Sequence, residues 1–479
     1  MRSSPLWTAA AILLLTVAFV SPTVIPPGRS PSMTSSSFPP PGTGLPGRLP
    51  DDHIQHVITV VMENHDYDSF FGTYCLTQGP YCSSTGNGIP AGTCVPKSPT
   101  DPSLGCFVPF NFTIHQFLVP DMQHDWVSGP IAYDHGAMDG FYQAEATNLT
   151  FGHYNQTTEP IYWDMAEEYA SSDNFWAANL SYSLPNHWDL IAGQSPAISY
   201  NSYIKTPTDR YTYRAESNAT TTIQDRLNGS SVSWDYFDYS LLPENLSFQN
   251  LGFGTAYDYW NPMAARAESY SSAFDSHFLD RTDLVSDILN GTLPNISWAI
   301  PSPQDSDHPG YNGSAGEAWV SSLVDTVEAS QYWNSTVIFV TWDDYGGFYD
   351  HVAPPRLLGG AQLSFRAPVL VISPYAKENY ISHVPLDFYS LLRFVEWQFG
   401  LGCVTALDCL APLPLDFFDF NQTPRLPILF GDAWNTTPYP IPLQTTDALN
   451  LGCTSCLRID PGLWGTPYVP PGETISDWS

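Results

Sequence analysis

Two unbroken apolar runs, far apart in the chain, each stop at a pair of hard oxygen donors, and this pattern narrows the possible folds more than any other feature. His56 to Met62 (HVITVVM) leads straight into Glu63-Asn64, and Thr336 to Thr341 (TVIFVT) into Trp342-Asp343-Asp344. A third run, Ala367 to Ser373 (APVLVIS), ends at Pro374. Short continuous Val/Ile segments are what strands covered on both faces look like, as in parallel sheets. Helical patterns lie between them. Ile161 to Ser171 and Ala315 to Tyr332 are amphipathic, while Pro185 to Gly193 and Pro385 to Phe399 each carry a proline suited to a first helical turn. This alternation predicts an α/β fold, a three-layer α/β/α sandwich with a mostly parallel central sheet. Cys75 to Cys106 and about Pro196 to Asp280 follow neither period and read as loop-rich insertions at the sheet edge.

Open α/β sheets bind ligands outside the carboxyl ends of their strands. Glu63, Asn64, Asp343 and Asp344 fall there. Either pair alone is accounted for as well by a turn cap. The two together, with Gly346-Gly347 and histidine-bearing motifs beside the second, point to one divalent metal ion. Carboxylate and amide oxygens suit Mg, Mn or Ca, and Fe or Zn stay open because zinc also accepts carboxylates. A nucleophile is available in Leu180-Ser-Tyr-Ser183-Leu-Pro-Asn-His187, where Ser183 precedes a helix N-terminus whose free amides favour a phosphate. The plain alternative is an N-cap serine; contact with a metal would instead lower the hydroxyl pKa enough for attack. His124 (DMQHDW), His308 (DSDHP) and His351 (GFYDHV) are candidates to stabilise transition-state charge, although a single histidine in such a place is more often structural.

Charge and processing signals bear on where such a chemistry would operate. Asp and Glu number 48 against 16 Lys and Arg, a formal charge of -32, and the lysines are Lys97, Lys205 and Lys377 alone. With no basic patch to neutralise phosphates, nucleic acid is excluded as a partner and anionic membranes are disfavoured. Charged residues are nevertheless 13% of the chain, below the roughly 25% of ordinary soluble domains, which reads as adaptation to an acidic exterior. Arg2 followed by the apolar run Leu6 to Val20 makes residues 1–21 a signal peptide or an uncleaved N-terminal membrane anchor. Residues 22–50 form a Pro/Ser/Gly-rich linker. A catalytic domain is expected over 51–402, and a proline-rich C-terminal wrap over 403–479. Thirteen of the 22 asparagines stand in glycosylation sequons, among them Asn111, Asn148, Asn179 and Asn295. Eight cysteines in two local groups read as disulfides, Cys453-Thr-Ser-Cys456 included. The expected location is therefore secreted or extracellular.

Eight stretches, in collinear order over about His53 to Leu401, resemble one family: the phosphoesterases of bacteria, archaea, fungi and plants that include phospholipase C enzymes and an acid phosphatase branch. They are VITVVMENHDYDSFFG, QHDW, GAMDGFY, PIYWDMAEEYASSDNFW, SLPNHWDLIAG, SWAIPSPQDSDHPG, TVIFVTWDDYGGFYDHVAPP and FRAPVLVISPYAKENYISHVPLDFYSLLRFVEWQFGL. The family is related in fold to the alkaline phosphatases and sulfatases. The resemblance implies that Glu63, Asn64, Asp343 and Asp344 hold the metal and that Ser183 is the nucleophile. It also implies that His124 and His308 contact phosphate and that His351 belongs to a recurrent Asp-His of less defined role.

Two departures stand out: His65 and His187 occupy positions where the family usually carries arginine. Serine at 183, where many phospholipases carry threonine, and the lysine-poor composition favour the phosphatase branch. The expected function is a metal-dependent phosphoric ester hydrolase working through a phosphoserine, an acid phosphatase first and a phospholipase C second. Its substrate would be a small phosphate ester or a phospholipid. A sulfatase is disfavoured because His187 replaces the arginine its modification motif requires. A non-catalytic glycosylated surface protein is the reading from another class.

Overall fold

Strand β1 (His56–Met62) has six of its seven residues buried, because it runs through the middle of a sheet covered on both sides. The computed structural model describes residues 52–431, apart from 78–81, 83, 114–118, 197–211, 213–214, 239–259, 263–275, 312 and 358–361. The segments 1–21 and 22–50, the Cys453/Cys456 pair and the greater part of 403–479 lie outside the described residues.

The remaining strands of the main sheet are β2 (Ala170–Ser172), β3 (Trp234–Asp238), β4 (Phe278–Asp280), β5 (Ile296–Ile300), β6 (Thr336–Trp342), β7 (Val369–Ile372) and β8 (Tyr380–Ser382). Across the sheet they are ordered β8-β2-β7-β6-β1-β5-β3-β4. β1 pairs parallel with both β5 and β6, and the parallel set extends through β3 and β4. Register matters most at the β1–β6 pair. Met62 lies opposite Trp342, so the two donor pairs that follow emerge side by side at one edge.

The short α1 (Tyr67–Phe71) follows β1, and the longer helices fall in two groups. On one side α3 (Ser183–Ala192) packs on α6 (Phe388–Gln398). On the other, α5 (Gly313–Glu328) packs on α2 (Pro160–Glu168) and on α4 (Arg281–Asn290). The sheet between them completes the α/β/α sandwich. Burying each Val, Ile, Leu or Phe of β1, β6 and β7 contributes roughly 1.5–3 kcal/mol relative to exposure, which is why these apolar runs form the centre of the core.

Three expectations need correction. β7 is antiparallel to both β6 and β2, whereas its continuous apolar run read as one more parallel strand. The helix foreseen to Ser171 ends at Glu168, and Ala170–Ser172 becomes a strand wedged between β7 and β8. Its Ala and Ser side chains carry little intrinsic preference, so the sheet decides. The supposed edge loops of 196–280 contribute β3 and β4 to the sheet itself.

Disulfides join Cys75 to Cys82, Cys94 to Cys106 and Cys403 to Cys409. Past Cys403, Phe417, Phe418 and Phe430 are part of the main core. Among the described residues no helix is long and apolar enough to cross a membrane.

Candidate active site

Both donor pairs are drawn tight by the backbone. The amide of Asp343 donates to the carbonyl of Met62 at 3.0 Å, and the amide of Glu63 to the carbonyl of Ser306 at 2.9 Å. Asp343 Oδ1 accepts the amides of Asn64 and of Asp344, each at 2.8 Å, while Asp344 Oδ1 accepts that of Gly346 at 2.8 Å. Asn64 adopts φ 59°, a left-handed conformation that asparagine tolerates better than most residues. Gly346 shares that φ and lies against it: a Cβ there would meet the Asn64 carbonyl oxygen at 1.9 Å. The turn after β6 therefore needs glycine, and the turn after β1 needs its neighbour to have no side chain.

Ser183 is the first residue of α3, not the residue before it. Tyr182 holds the cap position and makes no side-chain capping bond. Ser183 does not act as an N-cap either. Its Oγ donates to Glu63 Oε2 at 2.9 Å and lies 3.4 Å from Asn64 Oδ1. One turn on, His187 shares its helix face; its Nε2 is 3.0 Å from Glu63 Oε1 and 3.8 Å from Asp343 Oδ2. Asn186 fixes the loop ahead of the helix, accepting the Asn179 amide at 2.8 Å and donating to the carbonyls of Asn179, Ser181 and Tyr182. That use of Asn179, whose side-chain amide also donates to Asp189, ties one of the sequons into the fold.

Burial brings like charges together in this cluster. Glu63, Asn64, Asp343 and Asp344 are all 0% exposed. Burial first, then repulsion from Asp343 and Asp344, pushes the Glu63 carboxyl well above its ordinary range; burial and Asp343 do the same to Asp344. Asp343 Oδ2 and Asp344 Oδ2 have no hydrogen-bond partner although buried. Converging oxygens left unpaired in this way fit a divalent ion, which would relieve the repulsion that burial imposes. Glu63, His187 and Asp343 offer ligand atoms all within 4.8 Å of one another.

Of the three sequence-flagged histidines, His124 reaches the cluster most directly. Its Nδ1 donates to the Met122 carbonyl at 2.7 Å, which leaves Nε2 facing Asp344 Oδ2 at 3.7 Å. Burial above all holds His124 below its ordinary pKa, and nearby His308 adds to this. His308 stacks on Trp260 with ring centroids 5.4 Å apart and bonds through Nδ1 to its neighbour's carbonyl, that of Pro309, at 2.7 Å. His351 belongs to a second network. Its Nδ1 bonds Asp68 Oδ2 at 2.6 Å, beside the fully buried Arg366, which donates to Asp68 Oδ1 at 2.9 Å and to Asp350 Oδ1 at 2.7 Å.

In the sequence His187 stands out only as a replacement for the arginine usual in the resembled family. Its spacing of four from Ser183 was the signal that would have placed it in the site. His65, at the other such position, is buried between Phe70 and Phe348 and burial pushes its pKa to about 3.

Comparisons with known proteins agree on the class. The model of the Phosphoesterase family matches residues 54–402. Phospholipase C B of Mycobacterium tuberculosis is 26% identical over 476 residues, covering 83% of this chain and 87% of its own. Phospholipase C A of the same organism is 26% identical, covering 74% of each. The non-hemolytic phospholipase C of Pseudomonas aeruginosa is 24% identical, with 74% of this chain matched to 55% of that protein. The molecule is a phosphoric ester hydrolase. It belongs to the Phosphoesterase family.

Proposed function

We propose that this hydrolase is a metal-dependent phospholipase C, cleaving phospholipid diesters by two displacements at Ser183. The observation that carries the reading is the Ser183 hydroxyl donating to Glu63 Oε2 at 2.9 Å, inside a buried acidic cluster with unpaired oxygens. That bond turns the serine proton away from an approaching phosphorus and gives it an acceptor. Attack then forms the Oγ–P bond as the bond from phosphorus to the diacylglycerol oxygen breaks, and that oxygen leaves as the alcohol with a proton from solvent water. Water next attacks the phosphoserine and gives up a proton to solvent, Oγ leaves and takes back the proton held on Glu63, and the phosphorylated headgroup is released. A divalent ion held by Glu63, Asn64, Asp343 and Asp344 would lower the serine pKa and offset charge on the phosphoryl oxygens. His124 and His308 are assigned to the phosphoryl oxygens, and His351, tied to Asp68 and Arg366, to holding the adjoining loops.

The choice of diester over monoester follows the similarity to proteins named as phospholipases C. The acid phosphatase reading keeps, beside the serine at 183, a structural observation in its favour: His65 and His187, at the positions where the resembled family usually has arginine, are buried, and burial lowers them to about 3 and about 4. Export rests on the apolar run at Leu6 to Val20, the sequons and the three disulfides.

Full-length protein supplied with divalent metals should hydrolyse phosphatidylcholine faster than an aryl phosphate monoester between about pH 3 and 8, a span covering carboxylate and histidine titration. Ser183→Ala should abolish both while leaving the fold intact by circular dichroism. Faster monoester turnover would establish the phosphatase instead. Undiminished turnover in Ser183→Ala would end the serine mechanism.

A further inference from the structure

We infer that His187 is a metal ligand, so that the site is built for a nitrogen-accepting dication of the zinc type and not for Mg or Ca. The inference rests on the metal-dependent reading above. Nε2 of His187 lies 3.0 Å from Glu63 Oε1 and 3.8 Å from Asp343 Oδ2, with the ring and both carboxylates buried. A ring N–H can donate to one of these oxygens, not to both, and Asp343 Oδ2 accepts no hydrogen bond. A cation at the point the three atoms face satisfies all of them.

The separations suit this arrangement. Ligands held at roughly 2.0–2.2 Å from a zinc-sized ion stand about 3 to 4 Å from one another. The three atoms come from three separate elements, the end of β1, the end of β6 and the second turn of α3, so the fold itself converges them. Helix spacing then places the nitrogen one turn from the Ser183 hydroxyl, and Glu63 touches both. The consequence is chemical: an imidazole among carboxylates shifts preference toward zinc, because Mg and Ca take oxygen ligands.

The test uses metal binding and not turnover. Full-length wild-type protein stripped with a chelator is titrated with zinc, magnesium and calcium by chelator competition, and the zinc form is examined by X-ray absorption. Wild type should bind zinc in preference to both hard ions and show imidazole scattering. In His187→Gln, zinc affinity should fall by more than the roughly 10–100-fold carried by outer-shell partners, and one imidazole should leave the spectrum. His124→Gln, which spares His187, should keep an imidazole signal; this arm decides the matter if His187→Gln does not fold. Zinc bound by His187→Gln as tightly as by wild type, or no imidazole in the His124→Gln spectrum, overturns the inference while the metal site stands. No stoichiometric metal of any kind on wild type overturns the metal-dependent reading itself.

Discussion

A methyl group on Gly346 would lie 1.9 Å from the Asn64 carbonyl oxygen, at a residue whose φ of 59° already disfavours any side chain. Gly346→Ala should therefore cost about 1–3 kcal/mol in backbone strain alone, and it should push apart the two strand ends that carry the carboxylates. Turnover should drop more steeply than stability, by on the order of 100-fold, because displacement of about 1 Å is enough to spoil an aligned site. Parallel measurement of thermal midpoint and turnover checks this, and wild-type turnover in a folded variant would contradict it. Arg366 poses the opposite case, a charge whose removal is felt by everything around it. It bonds Asp68, Asp350 and the carbonyls of Asn87 and Asp173, all from within the core, and its guanidinium stands 4.5 Å over the Tyr67 ring. Burial works to raise the Asp68 carboxyl, and Arg366 with His351 more than offsets it. Arg366→Met would strand two buried carboxylates, an effect of about 3–5 kcal/mol, readable in chemical denaturation.

At the scale of elements, the site depends on helices that are fastened at their starts. α6 opens on Asp387, whose side chain accepts the Ser390 amide at 2.9 Å and the Ser390 hydroxyl at 3.1 Å, and all eleven of its residues are buried. Asp387→Ala should lower stability by about 1 kcal/mol, at most about 2. Because α6 packs on α3, the same change should loosen Ser183 modestly; denaturation and turnover together would show whether the two losses track each other. Much of this element structure was legible in the sequence where burial is two-sided. β1 and β6 announced themselves as unbroken apolar runs, and the proline of α3 marked its first turn. The direction of β7 was not legible, since a strand buried on both faces reads the same whichever way it runs. β3 (WDYFD) was hidden because aromatics alternate there with carboxylates, a pattern that insertion loops share. In the site, the two oxygen-donor pairs were visible as strand ends, and Ser183 as a helix start. His187 was not, because its role depends on Glu63 and Asp343 arriving from strands hundreds of residues apart in register.

Across the whole molecule, buried acids set the response to pH. Burial pushes Asp189 to about 7 against bonds from Tyr389 and Asn179, raises Glu145 to about 8, and with Asp408 raises Glu396 to about 10. In the unfolded chain these carboxyls titrate near ~4. Between those values the folded protein keeps protons that the unfolded chain has released, so these groups make stability fall as pH rises and recover as pH drops. Histidines act in the other direction. His56, His65 and His153 are held below their ordinary value chiefly by burial, so below about 6.5 the unfolded chain gains protons that the folded one refuses. The midpoint of thermal unfolding in chelator should thus climb from about pH 9 down to about 6.5 and flatten below it. The formal charge of -32 drives the same trend through self-repulsion, but salt screens that contribution and leaves the buried groups untouched. Repeating the series at about 1 M salt, where screening is near complete, isolates the buried acids. Asp189→Asn and Glu396→Gln should each flatten the remaining slope. A midpoint that rises with pH over this range at high salt would mean that these carboxyls ionise freely inside the fold.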